Sequence, residues 1–103
     1  MNMTEALEQS QPGLVGRVNE AIREHQLNLR AEQTYLHWIS RFVLFHGLKN
    51  PEQLATDDRL QFLSYLEDRI KLSRARLNQA SQALTFFYED VLGKAAESRI
   101  VAA

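Results

Sequence analysis

Between Leu29 and His46 the apolar residues fall at helical spacing, and this stretch constrains the fold more than any other. Tyr35, Ile39 and Phe42 stand at i, i+4 and i+7, and Leu36, Trp38, Val43 and Phe45 widen the stripe. Asn28 offers an N-cap, Gly47 a C-terminal stop, and Pro51 forbids continuation. No segment of the chain alternates with period two, and no internal repeat or low-complexity tract is present, so the expected class is all-α.

The same signals place further helices on either side. Pro12 suits a first turn, and Val15, Val18 and Ile22 then share a face. Thr56 is the expected cap of a third helix, with Asp57 and Asp58 in its first turn and Leu60, Leu63, Leu66 and Ile70 as its buried face. Ser73 caps a fourth, carrying Leu77, Ala80, Leu84, Phe87 and Val91 until Gly93 stops it. The expectation is a compact bundle of four short helices over residues 12–93. Residues 1–11 read as a flexible N-terminus and 94–103 as a tail or truncated linker.

A chain of 103 residues, 45% apolar, suits one domain with a real core. It has no cysteine, which removes disulfides and thiolate zinc sites and sits easily with a reducing cytoplasm. No apolar run is long enough to span a membrane, and no membrane partner is expected. The net charge is −1, unusual for a nucleic-acid binder, but its distribution is uneven. From Arg69 to Tyr88 there are four basic residues, Arg69, Lys71, Arg74 and Arg76, and no acid.

Motifs for catalysis or cofactors are absent: no phosphate loop, no His-Glu-x-x-His, no Gly-x-Ser-x-Gly. His25, His37 and His46 are too widely spaced for a helical metal pair; His37 reads as a surface residue and His46 as a helix-end residue favoured by the dipole. The carboxylate pairs Asp57/Asp58, Glu67/Asp68 and Glu89/Asp90 are sequence neighbours pointing about 100° apart, which makes them poor acid–base couples. The strongest feature is Ser73-Arg74-Ala75-Arg76-Leu77-Asn78-Gln79, at a helix start. Arginine pairs with phosphate or guanine and the amides suit adenine, although the same run also fits a solvated helix end. Trp38, Phe86 and Phe87 read as core rather than as stacking platforms.

Three stretches resemble the core-binding, SAM-like N-terminal domain of tyrosine recombinases, most closely that of integron integrases. Arg30-Ala31-Glu32-Gln33-Thr34-Tyr35-Leu36-His37-Trp38-Ile39 is similar to its Arg-Thr-Glu-x-x-Tyr-x-x-Trp-Ile, and Arg41-Phe42-Val43-Leu44-Phe45-His46-Gly47 to its Arg-Phe-Ile-x-Phe-His-Gly. Asn78-Gln79-Ala80-Ser81-Gln82-Ala83-Leu84-Thr85-Phe86-Phe87-Tyr88 is similar to its Asn-Gln-Ala-Leu-x-Ala-Leu-x-Phe-x-Tyr. Ala31 departs from a usual threonine, and Arg76 adds charge where threonine is frequent. The resemblance implies a bacterial, cytoplasmic protein whose second and fourth helices face the major groove of a recombination-site duplex. A separate catalytic domain, missing from this chain, would carry the attacking tyrosine, and other recombinase protomers would join in a synaptic complex.

On that footing the expected DNA-binding residues are Arg30, Gln33, Thr34, His37 and Arg41 on one helix, and Arg74, Arg76, Asn78, Gln79 and Gln82 on the other. The arginines would take phosphates or guanine edges. No catalytic, metal or cofactor residue is expected, and Tyr35, Tyr65 and Tyr88 read as packing residues. The competing readings are a helical protein–protein interaction module docking through the apolar breadth of Trp38–Phe45 and, less strongly, a stand-alone helix-turn-helix regulator.

Overall fold

The computed structural model describes residues 2–93, among which five α-helices and no strands occur. α1 spans Met3–Ser10, α2 Leu14–Glu24, α3 Leu29–Phe45, α4 Thr56–Tyr65 and α5 Arg74–Phe86. A 3₁₀ turn, Pro51–Gln53, precedes α4, and π turns extend α4 over Leu66–Ile70 and α5 over Phe87–Val91. The proposed tail or linker, 94–103, lies outside the described residues.

Caps explain most boundaries. The Asn2 side chain accepts from Glu5 N at 2.8 Å and that of Asn28 from Ala31 N at 2.8 Å, each relieving an orphan donor of the first turn. Beyond α3, Gly47 and Leu48 turn left-handed (φ 68° and 64°), and Leu48 N–H closes on Val43 O at 2.9 Å. Thr56 is the first helical residue of α4 rather than its cap; Ala55 holds that place, and Asp58 accepts from Ala55 N at 2.7 Å. Ser73 caps α5 as expected, its hydroxyl accepting from Arg76 N at 3.3 Å.

Four helices were expected and five form. Reading 1–11 as a flexible segment misses α1, which buries Ala6, Leu7 and Ser10 against the rest of the domain. The Glu8 carboxylate then accepts from Gly13 N at 2.8 Å and Val15 N at 3.4 Å, fixing the corner into α2.

α3 is the central element, with α5 and α1 packed along it. Trp38, Ile39, Phe42 and Val43 of α3 are fully enclosed, so the apolar breadth that a docking module would need is used in the core. Phe42 meets Phe62 edge-on at 5.5 Å and Tyr88 at 6.1 Å, geometry that aromatic quadrupoles favour. The expected buried face of α4 is only half right. Leu66 is buried and Leu63 half-buried, but Leu60 and Ile70 are 58% and 39% exposed. Phe62 takes the core position instead, at i, i+4 with Leu66; Leu60 lies two residues away, about 200° round the helix. The π turn after Tyr65 then carries Ile70 out of line.

Two ties hold the lower end. Arg17 donates to Val91 O at 3.1 Å and pairs with Glu52 at 3.4 Å, joining α2, the 3₁₀ turn and the end of α5. The Tyr88 hydroxyl donates to Pro51 O at 2.9 Å in a buried setting. Burial holds this phenol well above its ordinary pKa, with Arg59, 4.5 Å over its ring, opposing the shift and Asp58 adding to it. Tyr88→Phe is expected to cost about 0.5–1.5 kcal/mol, one net hydrogen bond, because the Pro51 carbonyl still accepts from Leu54 N at 3.1 Å. Since the folded phenol holds its proton longer than the unfolded one, wild-type stability falls as pH rises past about 10, and the variant should lack that decline. Urea titrations across that range measure both effects.

Candidate nucleic-acid interface

The polar stripe of α3 follows from its register: with Ile39, Phe42 and Val43 inward, Arg30, Gln33, Thr34, His37 and Arg41 recur every three or four residues along its flank. α5 packs on α3, burying Ala80, Ala83 and Leu84, and so lays its own polar residues beside that stripe.

Two clusters result. In the first, the buried indole of Trp38 serves as a shared floor. The Arg41 guanidinium lies 5.7 Å from its centroid, that of Arg76 5.6 Å, and the His37 ring meets it edge-on at 4.8 Å. Among the described residues neither arginine sits in an ion pair; the pairs are Arg17–Glu52 and His25–Asp90. Glu32, the acid of α3, is half a turn round the helix from Arg41, and α5 has no acid in its first turn. Stacking on an indole is worth about 0.5–1 kcal/mol at exposed sites. It orients a guanidinium without consuming its five donors, which remain available to an anion.

The second cluster is a groove between the start of α3 and the middle of α5, lined by Asn28, Arg30, Thr34, Gln79 and Gln82 together with Ala31 and Tyr35. Here a cation, a hydroxyl and three amides stand together, the donor and acceptor set that reads phosphates and base edges. Gln33, Arg74 and Asn78 are exposed and line neither cluster.

His37 is not the surface residue that its sequence context implies. It is half-buried, and its Nε2 is enclosed without a hydrogen-bond partner. Burial first, then Arg41 and Arg76, holds its pKa below the usual histidine value. His46 instead packs edge-on to Phe42 and Phe45, with Nε2 2.9 Å from Asp58 O. Among the described residues no group of His and acids is arranged to hold a metal, and no helix is long and apolar enough to cross a membrane. Trp38 is the core residue that its sequence context implies, but its place beneath two arginines was missed from sequence. Its i, i+3 relation to Arg41 is visible there, whereas the arrival of Arg76 from α5 depends on the fold.

These features define a small all-helical domain with a two-helix face rich in arginine and amide side chains. The family model for the phage integrase N-terminal SAM-like domain matches residues 14–97, and the chain belongs to that family. An integrase/recombinase of Escherichia coli is 39% identical over 79 residues, which is 77% of this chain and 23% of the relative. An integrase/recombinase of Pseudomonas aeruginosa matches with the same identity and coverage. The chain thus spans about a quarter of the length of these curated relatives.

Proposed function

We propose that this domain grips double-stranded DNA at a recombination site through its α3–α5 face, as the DNA-binding part of a site-specific tyrosine recombinase similar to integron integrases. The observation that carries this reading is the convergence of Arg41 and Arg76, from two helices, on one indole without a carboxylate partner. Strand cleavage and joining would belong to a separate catalytic domain, and other protomers of the recombinase would complete the working assembly.

α3 and α5 would lie along the major groove, with Arg30, Arg41, Arg74 and Arg76 on phosphates or guanine edges. Gln33, Thr34, Asn78, Gln79 and Gln82 would add polar contacts. With a net charge of −1, the domain alone should bind at about the non-specific level, 10⁻⁴–10⁻⁶ M at physiological salt. Titrating the domain with a short duplex while following amide NMR shifts tests the face. The shifts should concentrate on the residues of the two clusters. Perturbation confined to α1 or to the outer side of α4 would contradict the proposal.

A further inference from the structure

His37 occupies an unusual place in the first cluster. Its ring shares the Trp38 floor with Arg41 and Arg76, and its enclosed Nε2 has no partner. A proton on that nitrogen would be a buried donor without an acceptor, which disfavours the imidazolium in the free domain. The charges acting on the ring are both positive, Arg41 from its own helix and Arg76 from α5. The acids of the other helices packed on α3 are exposed, as is Asp57 of α4, or engaged elsewhere. Glu8 of α1 accepts from Gly13 and Val15, Glu5 is exposed, and Asp58 of α4 holds Ala55 N beside His46, at the far end of α3.

A phosphodiester arriving between the arginines would reverse this balance. It brings a negative charge beside Arg41 and Arg76, offsetting the two positive charges that disfavour an imidazolium at His37. We propose that one DNA phosphate is held jointly by Arg41, Arg76 and His37, and that His37 takes up a proton from solvent as the phosphate arrives. This inference rests on the α3–α5 face being the DNA face. It makes the site proton-coupled: the bound ring holds its proton to higher pH than the free ring. DNA affinity is therefore gained as pH falls through the bound-state value and lost as pH rises through it.

Fluorescence anisotropy with a labelled short duplex of mixed sequence, at fixed ionic strength between about pH 5 and pH 8, reads this directly. The wild-type chain should bind more tightly at low pH, by up to about tenfold for each unit by which DNA raises the His37 pKa. His37→Gln should lose that part of the dependence, since His25 and His46 are common to both proteins. The His37 ring resonances, followed by NMR, should titrate at higher pH with the duplex than without it. Binding with the same pH dependence in both proteins, or a ring titration unmoved by DNA, overturns the proton coupling and leaves the DNA-binding reading standing. Failure to bind the duplex at any pH overturns both.

Discussion

Trp38→Ala is expected to destabilise the domain by about 3–5 kcal/mol, the usual cost of deleting a large buried aromatic. The indole is 1% exposed and stands in a core with Ile39, Phe42, Leu84 and Phe87, all of them at 2% exposure or less. α3 and α5 meet there, so relaxation could fill the space only by moving helices that also carry other contacts. A small domain has only about 5–15 kcal/mol of stability in total, so one substitution removes a large share of it. The same change takes away the floor beneath Arg41 and Arg76, coupling fold and face at a single residue. Urea unfolding of wild type and variant, followed by circular dichroism, measures the difference. A loss below about 1 kcal/mol would mean that the indole is not the packed core residue described.

The parts of this fold that were legible in the sequence are those whose ends and faces are both written locally. α3 is the example: Asn28 caps it, Gly47 stops it, and the apolar residues between sit on one side. α1 left little trace because Leu7 is the one large side chain it buries, the others being Ala6 and Ser10 among polar residues. The family match also begins only at residue 14, beyond α1. In α4 the leucine spacing competed with Phe62, and the larger ring took the core, leaving Leu60 outside. The π turns after Tyr65 and Phe86 were not legible at all, since one added residue per turn shifts the face without changing which residues are apolar.

The candidate site divides in the same way. The stripe from Arg30 to Arg41 follows from helical spacing once Ile39 and Phe42 are placed inward, and the basic start of α5 is plain in its composition. What spacing cannot give is the tertiary pairing: Arg76 reaching Trp38, and Gln79 and Gln82 facing Arg30 and Thr34 across a groove. Part of the lowering of the His37 pKa has the same origin, because Arg76, one of the two charges acting on it, comes from a helix remote in sequence.

The central claim is that the α3–α5 face carries the DNA contacts, and the salt dependence of affinity tests it most directly. Each phosphate contact contributes about 0.9 to the slope of log affinity against log salt. The double change Arg41→Ala, Arg76→Ala should therefore flatten that slope by about 1 and weaken binding roughly tenfold at about 0.1 M salt, since the two arginines share one phosphate. The melting transition should fall by several degrees with the variant still folded, as stacking on the indole is worth about 0.5–1 kcal/mol per arginine. Duplex titrations of both proteins at several salt concentrations give the affinity and the slope together. A weaker, flatter response in a variant that remains folded is the predicted result. An affinity and slope equal to those of the wild type would show that DNA does not bind on this face.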